Sequence, residues 1–246
     1  MDLDARRREP ELMDAPGLDP AAHAQALDAL ERVNRVSFTS SRAWREVEGL
    51  WGAGVRPVRV LDVACGGGDV LIDLARRASG RGISVDLTGC DASEVALGRA
   101  GARAREVVGG GSWAGPVPVA GTVLRFEQGD VLEAALPRGN DLVLCNLFLH
   151  HLARDEAVSL LRVMAASCER VLLVQDLRRT RRGYALAWLG LHTLTRSRVA
   201  RSDGLSSVRA AFTLQEASDL ARAAGLDGAE VRPCWPQRFA LRWSRA

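Results

Sequence analysis

The chain of 246 residues contains no lysine. A P-loop, which grips phosphates through a Gly-Lys-Ser/Thr corner, is thereby excluded, and every basic side chain is an arginine. The 33 basic residues stand against 30 acidic ones, a net charge of +3. So small an excess lacks the one-sided charge of a nucleic-acid-binding domain, and no nucleic-acid partner is expected. Five cysteines (Cys65, Cys90, Cys145, Cys168 and Cys234) form no Cys-x-x-Cys pair, and neither they nor His23, His150, His151 and His192 fall at metal-ligand spacing. No metal site is expected, and the cysteines read as small buried hydrophobes of a reduced compartment. No apolar run is long enough to span a bilayer. The charged start, Met1 to Glu9, has no apolar core of a signal peptide, which points to a cytoplasmic protein. With 47% hydrophobic and 26% charged residues, the composition is that of a soluble globular chain, long enough for one large α/β domain with or without a small cap.

What is present begins with Val60-Leu61-Asp62-Val63-Ala64-Cys65-Gly66-Gly67-Gly68-Asp69-Val70. An apolar run ending in an acid and a glycine cluster, then helix-compatible residues, reads as strand, tight turn and helix. The glycines admit close approach of a ligand, and the helix start turns free N–H groups toward it. Gly66 and Gly68 match the first two positions of a dinucleotide fingerprint, but Leu71 stands where the third glycine belongs. A second strand, Leu87 to Asp91, ends in an acid about 20 residues further on, where such folds place a ribose-binding carboxylate. Asp91 is expected to accept from both ribose hydroxyls, or else to cap the helix starting near Ser93. Val123 to Val131 carries a Gly129-Asp130 pair, and Asn140 to Leu152 a further strand and the loop Asn146-Leu147-Phe148-Leu149-His150-His151.

In this order the motifs resemble those of class I S-adenosylmethionine-dependent methyltransferases, and the Asp-Val-Ala-x-Gly-x-Gly-Asp wording resembles the ubiquinone and menaquinone biosynthesis group. The resemblance covers about half the chain, residues 58 to 176. It implies S-adenosylmethionine as cofactor, held by Asp62, Ala64, Gly66 and Gly68 at the corner, Asp91 and Ala92 at the ribose, Asp130 and Val131 at the adenine, and Asn146 and Leu147 facing the methyl donor. The implied fold is α/β, a Rossmann-like doubly wound, seven-stranded, mostly parallel sheet with an antiparallel last strand and a helical lid. Relatives carry a Pro-Gly-Gly turn before the fifth strand, where this chain has Ala165 to Arg170.

Strands are expected at about 58–63, 83–91, 120–127, 140–146 and 170–176, with two more near Val231 and Phe239 to Trp243. Residues 107–119, rich in glycine and proline, are expected to form a loop. Thr213-Leu214-Gln215-Glu216 is a capping box, with Gly225 closing its helix. Residues 1 to about 17 are expected to fray. Asp19-Pro20 starts a helix through Leu27, Leu30, Val33 and Val36, and Ser41 to Trp51 forms another. Residues 1–45 are thus read as a lid segment, and 46–246 as the methyltransferase domain with a helical insertion at about 178–210. That insertion holds an apolar stretch between arginines, either a lid helix over the site or an interfacial helix in peripheral contact with a membrane. Both imply a hydrophobic substrate.

A phenolic acceptor, with a pKa near 10, needs a base at neutral pH, and a histidine suits the task. His151 is the first candidate and His150 the second. If a helix starts there, the two side chains point about 100° apart, leaving one toward the cleft. Asp203 to Phe212 is similar to a quinone-methyltransferase stretch, which makes Arg209 a candidate for an acceptor oxygen or else for an ion pair. The function expected is methyl transfer to a small hydrophobic, phenolic or polyketide-derived acceptor, at oxygen rather than carbon. The alternatives are a catalytically silent S-adenosylmethionine-binding partner subunit and an RNA or DNA methyltransferase. The motifs of the nucleic-acid enzymes are missing from Cys145-Asn146-Leu147-Phe148, and the residues fix no oligomeric state.

Overall fold

The computed structural model describes residues 3–12, 17, 19, 25, 38–108, 117–119, 121–133 and 135–245. Most of the helix expected from Asp19-Pro20 through Val36 lies outside them. The elements are α1 (Thr39–Gly52), β1 (Val58–Val63), α2 (Asp69–Arg81), β2 (Val85–Asp91), α3 (Glu94–Val108), β3 (Val117–Val119), β4 (Thr122–Gln128) and β5 (Asn140–Asn146). A 3-10 turn (Leu149–His151) follows, then α4 (Arg154–Ser167), β6 (Cys168–Leu177), α5 (Arg181–Leu194), α6 (Arg198–Ala210), α7 (Leu214–Ala223), β7 (Glu230–Cys234) and β8 (Arg238–Ser244).

One sheet runs β3-β4-β2-β1-β5-β6-β8-β7. The central pairs β4-β2-β1-β5-β6 are parallel, and β8 is antiparallel to both of its neighbours. This is the expected seven-stranded mixed sheet with one short addition. Val117–Val119 pairs antiparallel with β4, so the expected loop at 107–119 ends in a strand; Gly121, at φ 74, supplies the left-handed residue that turns it back. The central strands are apolar almost throughout: Val60, Leu61 and Val63 of β1 and Leu142 to Cys145 of β5 are buried, as a sheet covered on both faces requires. One core joins α1 and α2 to the sheet through Trp44, Val47, Leu71 and Leu74. The other joins α4 and α7 through Leu160, Leu161, Met164 and Leu220.

Helix boundaries follow their caps. In α7, Glu216 N–H donates to Thr213 Oγ1 at 3.2 Å and Thr213 N–H to Glu216 Oε2 at 2.7 Å, with Gly225 at φ 77 beyond the end. In place of the relatives' Pro-Gly-Gly turn, α4 runs directly into β6. Asn140 Nδ2 donates to Ser167 Oγ at 2.8 Å across that junction. Helix α1 passes through the division expected at 45/46.

The expectation of a frayed N-terminus is overturned for residues 3–12. Arg6 donates to the carbonyls of Ala210, His150 and Leu152 and lies over the Phe212 ring at 3.8 Å. Buried Arg179 donates to Leu3 O at 3.0 Å while pairing with Glu216 at 2.8 Å. Backbone carbonyls left open at the end of α6 and at the 3-10 turn are thus satisfied by a charged segment. Helices α5 and α6 occupy residues 181–194 and 198–210, and α5 leaves Leu186, Trp188 and Leu189 43%, 50% and 54% exposed.

Candidate functional site

The carboxyl ends of the central strands open into a cavity of about 780 Å³, on either side of β1, where the winding of the sheet reverses. Sites for small organic ligands fall in the range of roughly 300–1,000 Å³. Its floor is the glycine corner. Gly66 sits at φ +53, and a Cβ there would meet nothing within 4 Å, so the place a side chain would take is left open. Gly68, at φ +70, lies beneath; its Cβ would stand 2.7 Å from the Phe126 ring. The bend and the close seating of α2 both depend on that bare backbone. Asp91 accepts from Gly66 N–H at 2.7 Å and from Ser93 N–H at 2.9 Å. The cap of α3 is Ser93, whose Oγ accepts from Ala96 N–H at 3.2 Å, so the Asp91 carboxylate is committed to the corner rather than the helix. Ala64, at φ 55, and Ala92 line the same wall, with Asp130 and Val131 at its far side. Asp130 caps its own turn by accepting from Leu132 N–H at 2.9 Å.

Behind the corner, Asn146 Nδ2 donates to Asp62 Oδ1 at 3.1 Å, and Gln175 Nε2 donates to Asn146 Oδ1 at 2.9 Å. Leu147, at φ 56, donates its N–H to Gln175 O at 2.8 Å. Asp62 is 2% exposed. Burial pushes its carboxyl up from 3.8 to about 7, against the Asn146 hydrogen bond and with the nearby charges of Asp91 and Asp69 adding to the rise. The folded state therefore holds a proton that the unfolded chain releases between pH 3.8 and 7. Stability falls as pH rises through that window, by at most about 4 kcal/mol. Asp62→Asn is expected to be more stable than the wild type at pH 8 and nearly equal to it at pH 4. Urea unfolding at the two values checks this, and an unchanged pH slope in the variant contradicts it.

The two histidines face the same cavity. The segment is a 3-10 turn and not the start of an α-helix, and the rings lie 4.3 Å apart with a 34° tilt, so the divergence expected of a helix does not arise. Asp176, at the end of β6 and fully buried, accepts from His150 N–H at 2.9 Å and stands 2.6 Å from His150 Nδ1. It opposes its own burial through that pairing and the Leu177 N–H, and its pKa stays below 3.8. With Nδ1 tied down, His150 Nε2 is left toward the cavity. His151 is held neutral, its pKa lowered to about 4 by burial and by His150.

Glu11, brought by the docked N-terminal segment, completes this corner: its Oε1 lies 3.9 Å from both Nε2 atoms and accepts from Ser207 Oγ. Arg209 does not join it. The register of α6 turns Arg209 away from the cavity wall, and its guanidinium lies 3.9 Å from Glu9. The acceptor-binding role considered for it gives way to the ion pair. Sequence reasoning missed Glu11, Asp176 and Arg238. Asp176 carries the same signal as Asp62 and Asp91, an acid ending a strand. Arg238, buried on the cavity wall, donates to Thr39 Oγ1 at 2.8 Å and has its pKa lowered to about 10 by burial. Glu11 has no local signal at all. Burial pushes the thiols of Cys65 and Cys145 upward, consistent with inert packing.

Residues 60–170 match a family model described as a methyltransferase domain. The 2-phytyl-1,4-naphtoquinone methyltransferase of Synechococcus elongatus is 30% identical over 104 residues, which are 42% of this chain and 39% of the relative. The chain thus matches about two fifths of the length of that curated relative. Among solved structures, magnesium protoporphyrin IX methyltransferase of Synechocystis PCC 6803, crystallised with bound S-adenosylhomocysteine, superposes with a TM-score of 0.57 at 19% identity, covering 95% of this chain and 91% of that one. The plantazolicin methyltransferase BpumL, in complex with a desmethyl plantazolicin analogue and S-adenosylhomocysteine, gives 0.64 at 16% identity, with 92% and 91% covered. These likenesses establish a shared fold.

Proposed function

We propose that this chain, whose residues 60–170 match a methyltransferase-domain model, is an S-adenosylmethionine-dependent enzyme that transfers a methyl group to an oxygen of a small, hydrophobic, phenolic or polyketide-derived acceptor. The observation that carries the reading is one continuous cavity, with the glycine corner and its carboxylates at one end, a histidine pair at the other and the apolar face of α5 above. The corner fits the cofactor. Open space over Gly66 accepts its body, Asp91 with Ala92 offers acceptors for a ribose, and Asp130 with Val131 borders the base. Buried Asp62, raised to about 7 by burial and by the charges of Asp91 and Asp69, suits a ligand that carries an ammonium group.

S-adenosylmethionine supplies, when bound, a methyl group on a positively charged sulfur. The protein's part is to align and to exclude water. Asn146 and Leu147 fix the floor between corner and histidines, and Leu186 and Leu189 of α5 cover the acceptor side. His150 and His151 offer two Nε2 lone pairs to the acceptor's hydroxyl, His150 being oriented by Asp176 as a carboxylate orients an imidazole in hydrolases. The relatives named for a phytyl-naphtoquinone and a protoporphyrin support an acceptor with an apolar ring.

The same reading includes a cytoplasmic location and reversible membrane contact. No described helix is long and apolar enough to cross a membrane. Exposed Leu186, Trp188 and Leu189 lie beside exposed Arg181 and Arg182, and this pairing favours an anionic lipid surface that delivers a lipophilic acceptor. Labelled methyl from S-adenosylmethionine, offered with a panel of phenolic acceptors free and in anionic vesicles, is expected in an extractable methyl ether, faster from vesicles for lipid-tailed acceptors. Label found in RNA or DNA, or in no small molecule across the panel, contradicts the reading.

A further inference from the structure

The histidine pair and Glu11 do more than face one another. The carboxylate of Glu11 and one ring nitrogen from each of His150 and His151 lie within 4.8 Å of one another, and each Nε2 stands 3.9 Å from the same oxygen. We propose that these three side chains bind a divalent transition-metal cation of the Zn²⁺ type, whose open position faces the methyl acceptor.

Two imidazoles and one carboxylate are the donor set of open zinc sites, and they favour Zn²⁺ or Co²⁺ over Mg²⁺. Metal–ligand bonds of about 2.0–2.2 Å put tetrahedral ligands roughly 3.4 Å apart. The two 3.9 Å separations from Glu11 close to that by about 0.5 Å, and the nitrogen–nitrogen separation, within 4.8 Å, by at most about 1.4 Å, through χ rotations in Glu11 and His151. The surroundings are those of a metal ligand shell. His150 gives its other nitrogen to the buried carboxylate of Asp176 at 2.6 Å, the carboxylate–histidine arrangement that fixes the tautomer and raises ligand basicity. Glu11 is steadied by Ser207, and its neighbour Leu12 donates N–H to Asp203 Oδ1 at 2.8 Å. Phe148, whose ring lies 5.9 Å from that of His151, lines the cavity on the open side.

Binding rests on this geometry alone, whereas its use in catalysis rests on the methyl-transfer reading. With both Nε2 lone pairs on the cation, the histidines serve as ligands in place of bases: the acceptor's O–H breaks as its oxygen takes the open position, and the proton leaves to water. The O–C bond then forms as the methyl carbon's bond to sulfur breaks, giving the methyl ether and S-adenosylhomocysteine. The metal lowers the acceptor's pKa as it does that of bound water, so a hydroxyl with a pKa near 10 ionises at neutral pH.

The test adds Co²⁺ and Zn²⁺ to the chelator-stripped full chain. One equivalent of Co²⁺ is expected to give the intense visible bands of a four- or five-coordinate site, displaced by Zn²⁺. Calorimetric Zn²⁺ affinity is expected to fall at least about tenfold in Glu11→Gln and His151→Gln, and by roughly 10–100-fold in Asp176→Asn, which touches the metal only through His150. His192, whose Nδ1 lies 2.8 Å from Trp188 O on α5, stands as the control, since its substitution to Gln leaves the bands in place. S-adenosylhomocysteine binding and the urea midpoint are read on every variant to show a folded chain. Should Glu11→Gln misfold, His151→Gln decides alone, because its side chain is partly exposed, at 31%. Absence of a 1:1 site, or equal Zn²⁺ affinity in folded Glu11→Gln or His151→Gln, overturns the inference. Full methyl transfer by the stripped protein also overturns its catalytic use while leaving the function proposed above intact.

Discussion

Asp176→Asn is expected to lower kcat for the proposed methyl transfer by roughly 10²–10⁴ and to leave S-adenosylhomocysteine affinity nearly unchanged. The carboxylate holds His150 by two bonds, at 2.9 Å from its N–H and 2.6 Å from Nδ1, and takes a third from Leu177 N–H. An amide has the same shape but half the acceptor capacity. With three donors converging on it, the Asn side chain turns its NH₂ toward one of them. The least costly relief is for His150 to carry its proton on Nε2 instead of Nδ1. The lone pair facing the cavity is then lost, whether it takes a proton from the acceptor or holds a metal. The glycine corner, on the other side of Asn146 and Gln175, is untouched. Single-turnover assays with labelled S-adenosylmethionine at saturation measure kcat apart from binding. A variant with wild-type kcat, or one whose whole defect lies in cofactor affinity, contradicts the role assigned to Asp176.

Sequence made the glycine-corner end of the cavity legible because its signals are local. Asp62 and Gly66 lie within one strand-turn unit, and Asp91 closes the next strand, so apolar pattern and turn chemistry suffice to find them. Their pairing in space follows from the parallel register, in which Asp62 stands beside Gly89 and Val63 beside Cys90. The histidine end was legible only in part. His150 and His151 stood out as residues, but their convergence depends on a 3-10 turn and on a carboxylate from the neighbouring strand. Glu11 was invisible, because the N-terminal segment is ordered by long-range bonds, chiefly from Arg6 and Arg179 to backbone carbonyls. Its charge alone suggested fraying. Arg209 failed in the opposite way: a matching stretch suggested a role, but the register of α6 directs the side chain to Glu9. The short strand at Val117–Val119 was hidden by the glycine and proline around it, which mark turns and say little about edge pairing.

The second large effect falls on binding. Asp91 keeps lone pairs free beyond the two that accept from Gly66 and Ser93 N–H groups, since a carboxylate offers about four acceptor sites. Two ribose hydroxyls donating to it make two charge-assisted bonds, each worth about 1.5–3 kcal/mol. Losing both weakens binding about 100-fold or more at 1.4 kcal/mol per decade, and the Gly66 bond that shapes the corner is lost with them. Asp91→Asn keeps one oxygen acceptor and is expected between the two. Calorimetric titration of S-adenosylhomocysteine into wild type and Asp91→Ala, each folded by its urea transition, is the measurement that bears most directly on the crevice as a nucleoside site. One site per wild-type chain and an affinity reduced about 100-fold in the variant are the predicted result. No binding to the wild type, or equal binding to both proteins, contradicts it.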